Sequence, residues 1–238
     1  MTIRSIALSA MAVTFSLRAA DVSVAPLAVY YSFDTAPSAA LVTEMESEVG
    51  RILAGAGVRV AWRDVAAPRN GEDFQAVVVF RFRGVCSFDE DTGPIQFQEE
   101  PAGQPLAETD VADGRVLPFG SVDCNKLRRF IAPVMRSMGQ EDKNARLGRA
   151  IARVSAHEIY HMLTGSEEHA RRGIARAKHN REELTAPTFA FAREETNWLR
   201  AWAAANPGIQ RAVAAVGPAI RMDETESSTS ASGNSAGR

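Results

Sequence analysis

The chain has 238 residues, of which 45% are hydrophobic, and 27 Lys and Arg stand against 29 Asp and Glu for a formal net charge of −2. That length accommodates one well-packed domain and is short for two. With both signs intermixed there is no electrostatic footprint for nucleic acid, and that class of partner is set aside.

The N-terminus has the features of an export signal. Arg4 is the positive start, Ser5 to Leu17 is an apolar run too short to span a bilayer, and Ala19-Ala20 supply small residues for cleavage. Residues 1–20 are therefore expected to be a signal peptide, giving a secreted or periplasmic protein with no stable membrane insertion after cleavage. Arg18 is awkwardly placed for cleavage after Ala20, and an ordinary first strand or helix is the competing reading. Cys86 and Cys124 suit an oxidising compartment as a disulfide, although two buried thiols would give the same sequence.

Val24 to Phe33 is apolar, β-branched and aromatic, as in a strand buried on both faces. After the turn Asp34-Thr35-Ala36-Pro37-Ser38, the apolar positions Leu41, Val42, Met45, Val49, Ile52 and Leu53 recur at helical spacing, ending at Gly55 and Gly57. Val58 to Trp62 alternates as a second strand, and Phe74 to Phe82 is a third, central one. A strand, helix, strand opening implies a right-handed crossover and a parallel pair. The stretch from Cys86 to Asp113 is long for a loop and is expected to hold an edge strand or a lid. Its acidic pieces, Asp89-Glu90-Asp91 and Glu99-Glu100, lack the alternating pattern of a calcium loop and read as solvated charge. Arg115 to Val122 is another short strand, which Pro118 assigns to an edge or a bulge. Such an edge would suit strand addition by an extended peptide. Asn125 to Met138 is predicted as a basic amphipathic helix with Leu127, Phe130, Ile131, Val134 and Met135 inward, stopped by Gly139. Asp142 or Asn144 is expected to cap the long helix that follows.

That helix carries His157-Glu158-Ile159-Tyr160-His161. At about 100° per residue the two histidines share one face a turn apart, so both imidazoles can reach one metal ion. Glu158 stands beside them and can deprotonate a water on the metal, the general-base role in metal-assisted hydrolysis. The flanking Ile151, Val154, Ile159, Met162 and Leu163 cover most of the circumference, which marks a buried helix. Buried imidazoles and a buried carboxylate need partners, and a metal supplies one. Gly165 is the expected helix stop, after which the chain doubles back towards His169. A short excursion favours His169 as third ligand. The downstream Glu182, Glu183, Glu194 and Glu195, and also His179, Glu167 and Glu168, remain alternatives. His179 has a second candidate role, donating to a transition-state oxyanion. The charged loop through Arg171, Arg172, Arg176, Lys178 and Arg181 reads as solvated, with a preference for acidic substrate groups as the functional alternative. Glu194 to Ala205 is a last helix with Trp198, Leu199 and Trp202 on one stripe, its tryptophans in the core, stopped by Asn206-Pro207. Residues 208–238 are expected to be a largely disordered tail.

The order of elements and the His157-Glu158-x-x-His161 run resemble the metzincin-type zinc peptidases. The resemblance implies an α/β fold of the α+β zincin type: a mixed, mostly parallel twisted sheet of four to five strands on helices, with an active-site helix and a C-terminal helix. It covers roughly Val24 to Ala205 in topology and only the short motif in residues, within a catalytic domain of residues 21–207. In that group the motif continues His-Glu-x-x-His-x-x-Gly-x-x-His; here Gly165 and His169 are each displaced later. No methionine lies between Met162 and Met222, and Leu184-Thr185-Ala186-Pro187 takes the place of the family's methionine turn. The function expected is a zinc-dependent metallopeptidase acting on a peptide or protein substrate, with Zn²⁺ on His157, His161 and His169 and Glu158 as catalytic base. A zinc amide or ester hydrolase, and a non-catalytic binding protein with a structural zinc site, are the alternatives.

Overall fold

The computed structural model describes residues 26–67, 74–88 and 105–205. The expected signal peptide, both acidic pieces and the expected tail lie outside these residues. Pro26–Phe33 forms strand β1, Ala39–Ala54 helix α1 and Arg59–Asp64 strand β2. Ser38 caps α1 by accepting the Leu41 N–H at 3.3 Å. With the helix as crossover, β2 pairs parallel to β1. Ala76–Arg83 is strand β3, parallel to β1 on its other side.

Two further strands complete the sheet. Ala107–Ala112 is β4 and Arg115–Asp123 is β5, joined through Asp113 and Gly114, both at positive φ, as a two-residue hairpin. The order is β2-β1-β3-β5-β4, parallel except for β4. The sheet is thus mixed, mostly parallel and five-stranded, in an α/β arrangement with β3 at its centre. An edge strand does lie in the stretch before Asp113, and it is β4. Residues 115–122 do not form an edge: β5 runs between β3 and β4. Pro118 is tolerated there because the β3 ladder begins only at Phe119 and the β4 ladder shifts register between Thr109 and Val111. The missing N–H therefore falls at the bulge, the other option its presence allowed.

Val78, Phe80, Phe82 and Val122 point from one sheet face into a core closed by Leu41, Met45, Val49 and Leu53 of α1. Leu147, Ile151, Val154, Ile159 and Leu163 close it from α3, which spans Gln140–Thr164. Three helical expectations need correction. The basic segment is helix α2 only over Cys124–Ile131 and continues as a 3₁₀ turn over Ala132–Met135, since Pro133 removes an N–H and clashes with the preceding turn. Leu127, Ile131 and Met135 are buried as expected, while Phe130 and Val134 are only partly so. Helix α3 starts from Gly139 with no side-chain cap. Asp142 lies in its first turn, and Asn144 is instead buried, accepting the Phe88 N–H at 2.7 Å, because a buried backbone donor must be matched.

A short helix α4 at Arg181–Thr185, closed by an Asn180–Glu183 capping box, was not legible in advance. Arg193–Ala205 forms α5, whose buried line runs through Glu195 and Leu199. Trp202 is partly buried and Trp198 is 42% exposed, so the tryptophans are not both core. A helix packed on one side buries a narrow stripe, and Trp198 falls at its margin. Cys86 and Cys124 are joined in a disulfide, Cα–Cα 5.0 Å, tying the chain after β3 to the start of α2. Closing a loop of this length contributes on the order of 3–4 kcal/mol. Among the described residues no helix is long and apolar enough to cross a membrane.

Candidate metal centre

The apolar flanks of α3 press it against the sheet, and His157 and His161 share the face left over. Gly165 ends the helix in the left-handed conformation and donates its N–H to the His161 carbonyl at 2.8 Å. The chain then folds back on itself: Ala170 N–H meets the Ala175 carbonyl at 2.8 Å. This turn brings His169 to the other two histidines. Ring centroids are 4.7 Å apart for His157–His161, 5.2 Å for His157–His169 and 4.8 Å for His161–His169. One ligand nitrogen from each lies within 4.8 Å of the others, so the three can hold one metal ion. His161 is buried and His169 exposed, leaving the cluster at the surface of the domain.

The imidazole tautomers follow from the hydrogen bonds. His157 Nδ1 is 2.7 Å from the Ile174 carbonyl and His161 Nδ1 is 2.6 Å from the Ser166 carbonyl. Carbonyls only accept, so each Nδ1 carries the proton and each Nε2 keeps its lone pair. Those two Nε2 atoms face one another at 3.0 Å. Neither can donate to the other, and two bare lone pairs at that separation repel. A shared cation resolves the conflict: ligands about 2.05 Å from a tetrahedral ion sit about 3.3 Å apart. Backbone carbonyls on the far nitrogen are the usual outer support of metal-binding histidines.

Ile174 is itself held in place. Its N–H donates to the Ala190 carbonyl at 3.1 Å, and its side chain is fully buried. Gly173 bridges to Phe191 at a φ of 68°, and a Cβ there would lie 2.7 Å from both Ala190 O and Ala192 N. Glycine is required on both counts. Sequence reasoning missed this support; its one signal is the uncharged run Gly173-Ile174-Ala175 inside an otherwise charged loop.

Burial drives the His157 pKa down to about 3, against the Ile174 hydrogen bond and helped by the neighbouring imidazoles. Burial likewise lowers His161. Both rings are then neutral at pH 7, the form that ligates metal. Glu158 is buried, and desolvation pushes its carboxyl up to about 7, opposed by a hydrogen bond from the Thr109 hydroxyl.

His179 stands edge-on to His157 at 5.7 Å and to Phe189 at 5.4 Å, outside the three-ligand group. All four histidines of the chain thus gather at one place. Both His179 nitrogens are shielded and have no hydrogen-bond partner among the described residues. The nearby Ile174 carbonyl is already engaged by His157. Burial, then the charge of Arg176, lowers its pKa.

None of the glutamates considered as third ligand joins the group. Glu183 accepts from Asn180 N–H and pairs with Arg176, Glu195 is buried in α5, and Glu167 and Glu168 are exposed. Of the loop arginines, Arg171 and Arg172 are solvated as expected. The Leu184-Thr185-Ala186-Pro187 stretch is fastened to α3 by Arg153, which reaches the Ala186 carbonyl at 2.8 Å, and by Arg146, which reaches the Thr185 carbonyl at 3.1 Å.

No protein-family model matches the chain, and no curated protein sequence matches it.

Proposed function

We propose that this protein is a zinc-dependent hydrolase, specifically an exported metallopeptidase of a divergent metzincin-like zincin type. The observation that carries the proposal is the pair of unprotonated Nε2 atoms of His157 and His161 converging at 3.0 Å, with both Nδ1–H groups already committed to carbonyls. An all-imidazole donor set suits Zn²⁺. His157, His161 and His169 would hold it, and with these three ligands from the described residues a fourth position would be open to water, as in catalytic sites.

Bound there, zinc supplies Lewis acidity, lowering the pKa of a water and polarising a carbonyl. The chain's own residues do the rest. Glu158 takes a proton from the attacking water and passes it to the leaving amine; a carboxyl near neutrality serves both transfers. Among the described residues β4 is an edge strand, and an extended peptide would dock on its outer side by strand addition. The Cys86–Cys124 disulfide suits an oxidising compartment and so favours export.

The test is elemental analysis of the full-length protein and of His169→Ala, with hydrolysis of denatured casein and of ester and amide model substrates, Glu158→Ala serving as control. One zinc per chain, lost in His169→Ala, and casein hydrolysis lost in Glu158→Ala are expected. Undiminished zinc in His169→Ala overturns the ligand set. Hydrolysis confined to esters or non-peptide amides moves the substrate class while keeping the site, and equal turnover by Glu158→Ala removes the mechanism.

A further inference from the structure

Beyond the ligands and the base, the edge strand contributes one group that the motif does not announce. Thr109 lies on β4, its side chain turned to the helix side of the sheet, just before the register shift between Thr109 and Val111. Its Oγ1 is 2.6 Å from Glu158 Oε2 and 3.4 Å from the Glu158 carbonyl. A hydroxyl has one proton, and the shorter, charge-assisted bond to the carboxylate takes it.

The reach from sheet to helix depends on Gly120, the residue paired with Thr109 across the hairpin. A Cβ at Gly120 would fall 2.7 Å from Met162 Cε and 2.9 Å from the Glu108 carbonyl. With no side chain there, Met162 of α3 lies directly over β5, and the helix approaches closely enough for the two side chains to meet. Threonine is stiff at χ1, so its hydroxyl is a fixed point. Glutamate has three rotatable torsions, and among the described residues no other donor reaches its carboxylate.

We propose that Thr109 is a positioning residue for Glu158: its hydroxyl pins Oε2 and thereby presents Oε1 to the attacking water. The inference rests on the hydrolase reading and names a residue that reading does not need. A purely structural alternative is that Thr109 only fastens β4 to α3, and the two roles separate by experiment.

The probe is acetohydroxamate, which chelates a divalent metal through its two oxygens and donates a hydrogen bond to a neighbouring carboxylate. It is titrated into the cobalt-substituted full-length protein and followed by visible absorption, so no substrate need be known. Thr109→Val, which keeps the shape and deletes the hydroxyl, is expected to weaken binding about two- to tenfold, the cost of ordering a glutamate side chain that the hydroxyl otherwise holds in place. Thr109→Ser should stay within about twofold of wild type. Glu158→Ala should weaken binding at least as much as Thr109→Val, and adding Thr109→Val to Glu158→Ala should cost nothing more, because the hydroxyl then has nothing to hold. Wild-type affinity in Thr109→Val, with Glu158→Ala weakened, overturns this inference alone. An equal loss from Thr109→Val in the Glu158→Ala background also overturns it, by showing a structural effect. Wild-type affinity in Glu158→Ala removes the base itself, and failure to bind cobalt removes the metal centre and the inference with it.

Discussion

Helix α3 buries polar groups at two places one turn apart, and they are handled in opposite ways. Arg153 is fully buried, yet each of its guanidinium nitrogens meets an acceptor: it donates to Glu48 Oε1 at 2.8 Å, to the Glu183 carbonyl at 2.6 Å and to the Ala186 carbonyl at 2.8 Å. It also lies over the Phe189 ring. Every partner belongs to the chain, so this region is a fastener joining α1, α3, α4 and the residue after it. At His157 and His161 the protein supplies carbonyls to the outer nitrogens and then turns two acceptors on each other. A buried polar group that the fold satisfies is structural, while acceptors that the fold drives together make a place that a cation could fill.

The largest expected effect tests the second region. Glu158→Ala should lower kcat/KM by about 10²–10⁴-fold or more while zinc content is unchanged, which paired kinetics and elemental analysis would read. His157→Ala should abolish zinc binding and cost the metal-free protein less stability than Arg153→Met does, because relief of the facing lone pairs offsets loss of the Ile174 hydrogen bond. A large loss of stability in that metal-free variant would show that the histidine pair is structural and erase the contrast.

Arg153→Met should behave in reverse. Removing one partner of a buried pair costs about 3–5 kcal/mol, measured as a lower urea midpoint with and without zinc. Wild-type stability in that variant would mean the fastener is dispensable. A smaller effect is expected where the regions meet. Gly173→Ala forces a Cβ into the Ala190–Ala192 backbone and displaces the Ile174 carbonyl from His157, so zinc affinity should fall about 10- to 100-fold. Competition with a chelating dye would measure it.

The smallest effect is in acid. Burial raises the Glu48 carboxyl, but hydrogen bonds from Arg51 and Arg153 outweigh it, so the folded pKa lies below the ordinary glutamate value. Arg153 is also desolvated, but a guanidinium stays protonated at any working pH. A depressed carboxylate pKa stabilises the fold above the unfolded value, and that stability is lost as pH falls through the folded value. The stability gap between wild type and Glu48→Gln should therefore be full at pH 7 and shrink below about pH 4.5. A gap that stays the same as the pH is taken from 7 to well below 4.5 would mean the carboxylate is not held in its charged form.

Much of this is legible in the sequence. The apolar periodicity around His157 marks a buried helix, and the spacing of its histidines and the glycine stop at Gly165 put two imidazoles on one face. The short return to His169 brings the third imidazole to the same cluster. The central position of β3 follows from its nearly unbroken apolar run. The misreadings share a cause: each depends on what a segment meets in space. Pro118 marks an edge by local rules, but it sits at a bulge inside the sheet because two ladders happen to skip it. Asn144 has the chemistry of a cap and is used instead by the Phe88 N–H, 56 residues away. Trp198 has the composition of a core residue and lies beside the stripe that α5 buries.

Local sequence determined what repeats along one helix or strand: which faces are apolar, where helices end, and that two imidazoles and a carboxylate share one turn. Tertiary structure alone decided the ring tautomers, through the Ile174 and Ser166 carbonyls, and the tether on Glu158, through Thr109 of the edge strand. The physical reason is that hydrogen bonding acts within about 3 Å. Which donor meets which acceptor over that distance depends on how closely α3 packs on β5, and a side-chain period cannot encode that separation.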